Sequence, residues 1–277
     1  MNDIKISIVM AVYNRAKVVE QAISSVVNQT YKNIEFIIID GGSTDGTVDI
    51  IKKYEDKIAY WVSEPDTGIY NALNKGIKHA SGDYIQILGS DDCLHDKHTI
   101  EDVVKELEDD TDVLCCEVYF VDSQLGVEWV RGTNENFLIQ APNHQGMFTK
   151  RSVLLKYPFD EQYKVSADYN FMLTCYTDST ICIKRSKLKV AYYAIGGFSG
   201  AQAENCLKDM KAIYWKFTGQ IMEREISECG IKTIVKKCMK KIGVFERVRY
   251  FINVHVLRKW KKHHCNNKIC RWCGRGV

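Results

Sequence analysis

The chain has 277 residues, of which 45% are hydrophobic and 26% charged. That is enough for one large domain or a domain with a tail, and it excludes a disordered, collagen-like or coiled-coil chain. The net charge of +3 is unevenly spread: residues 231–277 hold fourteen Lys and Arg against one acid, Glu246, whereas the first 230 residues carry 24 basic and 34 acidic groups. An acidic body followed by a basic tail points to an anionic surface or partner for the tail.

Eleven cysteines, none among the first 90 residues, follow no disulfide spacing, so the expected compartment is reducing. The apolar run at 6–13 stops at Asn14-Arg15 rather than at a small-residue cleavage site. No stretch approaches the roughly 18–20 apolar residues of a membrane span. The expected location is cytoplasmic.

Along the first half, strand and helix patterns alternate. Residues 4–12 are apolar and β-branched, as a strand buried on both faces should be. Helical spacing follows over 17–28, then a buried strand over 34–39 and the loop Asp40-Gly41-Gly42-Ser43-Thr44-Asp45-Gly46. Asp45 or Thr44 is positioned to cap a helix running to Tyr54. Strands over 58–62, 84–88 and 113–121 alternate with helices over 67–79 and 98–107. This order predicts βαβ units and a mainly parallel sheet. The middle, 128–198, is less regular. From Gln202 the pattern is helical to about Cys229, and the basic tail follows.

Ligands of parallel sheets sit beyond the carboxyl ends of the strands. Here those ends read Tyr13-Asn14, Asp40-Gly41-Gly42, Glu64-Pro65-Asp66 and Ser90-Asp91-Asp92. Adjacent carboxylates in a cleft repel unless a cation neutralises them, and hard oxygen ligands suit Mg²⁺ or Mn²⁺. The plainer reading makes Asp91 a helix cap and leaves Asp92 solvated. What favours the metal is position, at the end of a strand that should be buried. The glycines after Asp40 permit close backbone approach, yet neither a dinucleotide fingerprint nor a P-loop is present. Asp40 itself ends a strand on the ligand edge, where a carboxylate accepts hydrogen bonds from a base imide or a ribose hydroxyl.

The segments Ile8-Val9-Met10-Ala11-Val12-Tyr13-Asn14, Ile38-Ile39-Asp40-Gly41-Gly42-Ser43-Thr44-Asp45-Gly46-Thr47, Asn74-Lys75-Gly76, Ser81-Gly82-Asp83-Tyr84 and Leu88-Gly89-Ser90-Asp91-Asp92 resemble the family 2 glycosyltransferases with a GT-A fold. The stretch from Ser63 to Gly76 is similar to the bacterial branch that builds O-antigen and capsular polysaccharide. The resemblance covers about 4–200, which sets the expected division: a glycosyltransferase domain over 1–200 and a helical, basic extension over 201–277.

The resemblance implies that Ala11, Val12 and Tyr13 line the nucleobase, with Tyr13 stacking on it and Asn14 beside it, and that Asp40 bonds the base, usually uracil. Asn71, Asn74 and Lys75 approach ribose and phosphate. Ser90-Asp91-Asp92 stands in place of the family's D-x-D, with Asp92 the metal ligand and Ser90 and Asp91 near ribose or the donor sugar. Asp168 matches the catalytic base, although the usual preceding Glu is absent; its competing role is a cap for the helix after it. His144 and Gln145 fall where related chains position donor phosphates or acceptor. The implied activity is inverting transfer of one sugar from a nucleotide sugar, a UDP-sugar by preference, to a saccharide acceptor carried on a lipid. Absence of the processive Gln-x-x-Arg-Trp argues for single transfer. A sugar nucleotidyltransferase and an inactive nucleotide-sugar-binding protein are the alternatives.

In the tail, 244–260 reads as an amphipathic interfacial helix, so 240–265 is expected to bind the anionic inner face of the cell membrane. No aromatic–basic module supports nucleic acid as the partner. His263, His264, Cys265, Cys270 and Cys273 form a candidate zinc set with tight spacing.

Overall fold

The computed structural model describes residues 4–122, 127–138, 140–222 and 261–262. In chain order its elements are β1 (Ile6–Val12), α1 (Val19–Val27), β2 (Ile34–Asp40), α2 (Thr47–Lys52), β3 (Tyr60–Ser63), α3 (Ile69–His79), β4 (Tyr84–Ile87), β5 (Cys93–Leu94), α4 (Thr99–Glu106), β6 (Val113–Asp122), β7 (Val127–Arg131), β8 (Met147–Lys150), α5 (Arg151–Lys156), α6 (Ala167–Thr177), β9 (Ile183–Ala194), α7 (Phe198–Ala201), α8 (Ala203–Thr218) and β10 (Lys261–Lys262). The expected α/β alternation is present through β6. The irregular middle holds the antiparallel part of the sheet.

The strand order is β10-β7-β6-β8-β4-β1-β2-β3, with β9 pairing both β6 and β5. β3, β2, β1 and β4 are parallel, and β8 joins β4 antiparallel. Because helices cover both faces, β1 is apolar along its whole length rather than alternating. Val9 faces α3, α5 and α6 in one core layer, whereas Ile8 and Met10 face α1, α2 and α4 in the other. α8 packs on α6, and its Ile213 is fully buried in the first layer. α8 stops at Thr218, short of the expected helix end near 229, because Gly219 takes a left-handed φ of 65° that ends the helix as a C′ glycine does. The segment 244–260 and the His/Cys set at 263–273 lie outside the described residues. Lys261 and Lys262 alone of 240–265 are described, pairing with Glu128 and Val127 of β7.

Two motifs turn out to build the frame. At the amino ends of the strands, Glu35 accepts from Lys5 Nζ (3.0 Å), Ser7 Oγ (2.6 Å), the Ser81 amide (2.7 Å) and Ser81 Oγ (2.8 Å). Partial burial pushes its carboxyl up, but these donors outweigh that and hold it near 2. Gly82 completes the corner: a Cβ there would sit 2.6 Å from Ser7 Oγ. Ser81-Gly82-Asp83 therefore belongs to the end of the sheet opposite the ligand edge.

Gly76 sets how closely α3 approaches the sheet. A Cβ added to it would lie 2.5 Å from Val9 Cγ1 and 3.3 Å from Ile39 Cγ1. Both neighbours are buried and branched, so neither swings aside cheaply. Gly76→Ala should destabilise the fold by about 1–3 kcal/mol through overpacking, despite alanine's better helix propensity. Urea unfolding checks this, and a stabilised variant would show that α3 has room to shift.

Candidate active site

The parallel strands end level at one edge, with Val12 opposite Asp40 and Asp40 opposite Ser63. The loops that leave this edge, together with α3, α6 and α7, enclose a cavity of about 420 Å³.

Tyr13, 59% exposed, stands on its wall with Ala11 and Val12 behind it. Two loops hold it there. Asn14 adopts a left-handed φ of 50°, which Asn tolerates better than most residues. Its amide donates to Ser43 Oγ (2.7 Å), and its Oδ1 accepts from the Thr44 amide (2.9 Å). Asp45 accepts from the Ala16 and Thr47 amides (both 3.0 Å) and so ties the start of α2 to the chain after β1, although the N-cap position is Gly46, not the expected Asp45 or Thr44.

Asp40 is buried behind the wall, not on the cavity. It accepts from the Gly42 amide (3.1 Å), the Ser43 amide (2.9 Å), Ser43 Oγ (2.5 Å) and Ser63 Oγ (2.6 Å). The carboxylate that does line the cavity beside Tyr13 is Asp66. Asn71, Asn74 and Lys75 also sit elsewhere. Asn71 and Asn74 donate to Glu161 (3.1 and 3.2 Å), Asn74 exchanges further bonds with the Phe159 backbone, and Lys75 pairs with Glu64 (2.6 Å). α3 turns Ile69, Tyr70 and Leu73 toward the cavity instead.

The acid pair is divided. Ser90 and Asp91 line the cavity; Asp92 is 1% exposed and points into the body. Asp92 Oδ1 accepts from the Ala194 amide (3.0 Å), and Oδ2 accepts from Gln145 Nε2 (2.6 Å). Burial first, and then the Asp91 charge, push the Asp92 carboxyl up. Asp92, the expected metal ligand, is thus bonded inside the fold, and Asp91 is the member of the pair on the cavity. The reason is that Gln145 and the end of β9 supply Asp92 with an interior partner set.

Across the cavity, Asp168 lies in the first turn of α6, where the helix dipole favours a carboxylate. Its Oδ2 accepts from His144 Nδ1 (2.9 Å), and its Oδ1 from the Tyr169 amide (2.9 Å). The Tyr70 hydroxyl lies 3.0 Å from Oδ1 and 2.8 Å from the Val165 carbonyl, sharing its proton between them. Burial raises the Asp168 carboxyl, but the His144 and Tyr70 bonds overcome this and leave it below its ordinary value. Burial likewise pulls His144 down, and the bond to Asp168 with the nearby Asp91 and Asp92 charges brings the net shift upward. The pair is a hydrogen-bonded histidine–carboxylate couple facing the cavity.

Sequence reading put Asp66 at the ligand edge without giving it a role and did not single out Arg15, Tyr70, Phe159, Lys164, Phe198 and Gln202; all line the cavity wall. Asp66 and Arg15 were findable, being within three residues of a strand end. The others come from segments that only the tertiary fold brings over the sheet edge.

The sequence profile of glycosyl transferase family 2 matches residues 7–164. The chain belongs to that family. It is a glycosyltransferase, and it is 34% identical over 176 residues to an uncharacterized glycosyltransferase of Mycobacterium tuberculosis, covering 61% of this chain and 67% of that protein. Among solved structures it is similar to Staphylococcus aureus TarS 1–349 in complex with UDP-GlcNAc, with a TM-score of 0.61, 18% identity and coverage of 90% of this chain and 73% of that one. It is similar also to glucosyl-3-phosphoglycerate synthase of Mycobacterium tuberculosis, in complex with Mn²⁺, UDP and glucosyl-3-phosphoglycerate: TM-score 0.58, 17% identity, 79% and 82% covered. These likenesses show a GT-A fold.

The residues at the sheet edge fit a divalent ion of the Mg²⁺ or Mn²⁺ type. Such ions are commonly held by one or two carboxylates plus substrate phosphates and water. Asp91 offers hard oxygens to the cavity, and the chain leaves them room: a Cβ on Gly197 would lie 2.7 Å from Asp91 Oδ2. Among the described residues no group of three His, Cys, Asp or Glu side chains forms a closed metal cage.

Proposed function

We propose that this glycosyltransferase moves one sugar, with inversion, from a UDP-sugar to a hydroxyl of a saccharide acceptor carried on a lipid. The observation that carries the reading is the placement of Asp168, ionised and fixed, across one cavity from Tyr13 and Asp91. Tyr13 offers a face on which a base stacks. Asp91 would hold Mg²⁺ or Mn²⁺, which supplies charge neutralisation for the departing diphosphate. Asp168 accepts the proton of the acceptor hydroxyl as its oxygen attacks the anomeric carbon. The bond from that carbon to the diphosphate oxygen breaks, and its electron pair leaves with the UDP. Asp91 and Asp92 sit on the donor side, so Asp168 is the carboxylate available to the acceptor.

A sugar-nucleotide panel read by UDP release tests the activity; release of pyrophosphate would indicate nucleotidyl transfer instead. Asp168→Asn should lose at least about a hundredfold in turnover, the usual scale for a general base, with little change in UDP affinity. A product retaining the donor's anomeric configuration would sink the inverting claim.

The two acids should separate by calorimetry of UDP in Mn²⁺. Asp91→Asn should weaken binding by about tenfold or more. Asp92→Asn should weaken it less, because Asp92 lies off the cavity and an amide there keeps the acceptor for Ala194. The opposite ranking would return the metal to Asp92.

A role in surface polysaccharide assembly at the inner membrane face rests on the basic tail. Among the described residues no helix is long and apolar enough to cross a membrane. The end of α8 nevertheless presents Trp215 (62% exposed), and Ile221 follows it (82% exposed), directly before that tail. The full chain should co-sediment with vesicles containing anionic lipid at low salt and release as salt rises, since screening weakens surface charge attraction. Equal binding to neutral vesicles would remove the electrostatic argument.

A further inference from the structure

One short turn touches both acidic centres of the cavity. Residues His144–Gly146 form a single 3-10 turn between Asn143 and β8. His144 Nδ1 bonds Asp168 Oδ2 at 2.9 Å, and the next side chain, Gln145, donates from Nε2 to Asp92 Oδ2 at 2.6 Å. The turn is itself clamped. Gln86 Nε2, from the middle of β4, donates to the Gln145 carbonyl (2.7 Å), and a Cβ on Gly146 would sit 2.5 Å from the Cys116 carbonyl oxygen of β6. It therefore has little freedom to move relative to the sheet.

Gln145 is 2% exposed, so it does not touch a ligand in the cavity. Its use is costly in another way. Gln145 Oε1 and Gln86 Oε1 are the buried side-chain polar atoms that lack a partner among the described residues. A buried unpaired acceptor is destabilising, and native proteins keep few of them. Apolar residues of similar volume would fill these two positions without that penalty. What the amides contribute is a fixed donor on Asp92.

We propose that the His144–Gly146 turn is the alignment element of the site, with His144 the positioning residue for the base Asp168 and Gln145 the positioning residue for the donor-side corner through Asp92. The inference rests on the reading given under Proposed function, and it replaces the expectation that His144 and Gln145 contact donor phosphates or acceptor. Asp92, held by Gln145 and the Ala194 amide, fixes the corner Gly89–Asp92 and so aims its neighbour Asp91 at the cavity. His144 fixes the carboxylate opposite. Donor side and acceptor side are thereby set at a constant separation by adjacent residues of one backbone turn.

The two positions have separable signatures. His144→Phe removes the bond to Asp168 while keeping a planar ring in its place. Turnover should fall by about a hundredfold, the scale of an approximately 1 Å misplacement of a reacting group, while the affinity for UDP in Mn²⁺ stays within about twofold. The groups facing the couple are Tyr70 from α3, Asp91 and Asp92 from the corner after β4, Lys164 ahead of α6 and Cys206 from α8. None of the others replaces the lost donor at Oδ2. Asp168 is held ionised below its ordinary range, so losing His144 should move the acidic limb of kcat/KM to higher pH.

Gln145→Leu should do the reverse, weakening UDP binding in Mn²⁺ by about tenfold or more, the usual scale for a supporting residue behind a ligand. The acidic limb should stay in place. His144→Leu and Gln145→Met, which also lack the donor, repeat each arm if the first variant folds poorly by circular dichroism. The inference is overturned if both positions give one common signature, or if His144→Phe weakens UDP binding while leaving the acidic limb unmoved. A wild-type chain that binds UDP but transfers no sugar from any donor would end the proposed function alone. Calorimetry would then still decide the turn: equal affinities in the two variants would refute the division of roles.

Discussion

A single buried carboxylate holds the ligand edge together. Asp40 ends β2, accepts from two amides and one hydroxyl of the loop it starts, and accepts from Ser63 at the end of β3. Without it three backbone or side-chain donors would be left unpaired in the loop that shapes the cavity, each at a cost of about 1–3 kcal/mol. The same loop then grips Asn14, whose strained backbone lifts Tyr13 out to 59% exposure. Exposing a tyrosine face this far is unfavourable unless something stacks on it, and the loop network is what keeps it from folding back.

Why the sequence pattern led to the right elements and to only part of the site follows from this. β1, β2 and β4 are buried on both faces, so their apolar runs are long and their ends abrupt; the strand ends, and hence the ligand edge, were legible. Asp91, Tyr13 and Asp168 were legible because each stands at such an end or opens a helix. Asn71, Asn74 and Lys75 fall off the cavity wall for a geometric reason. On α3, positions 69, 70 and 73 share the cavity face, and 71, 74 and 75 share another. The polar residues drew attention, but the helix turns them toward Glu161 and Glu64. Nothing local to 71–75 discloses that, because Glu161 lies some ninety residues away.

The motifs of the family also divide by function once folded. Asp40, Tyr13 and Asp91 gather at one end of the sheet. Gly76 and Ser81-Gly82 serve close packing and the Glu35 network at its middle and other end. Sequence proximity to a ligand motif therefore carries no information about which end a residue serves. Ser81 and Ser90, nine positions apart, sit at opposite ends of β4.

The charges around the cavity give the last step. Asp66, Asp91 and Asp168 bring three negative groups, and Arg15, His144 and Lys164 bring three that are positive or become so. With the His144 imidazolium formed, the wall is close to neutral before any donor enters. A nucleoside diphosphate sugar adds about two negative charges at pH 7, and in a partly water-excluded cavity like charges a few ångströms apart repel by several kcal/mol. On the proposed reading a divalent cation arriving with the donor would relieve this repulsion, and Asp91, which lines the cavity, would be the carboxylate to receive it. Gln145 and the Ala194 amide hold the oxygens of the buried Asp92 behind it inside the fold.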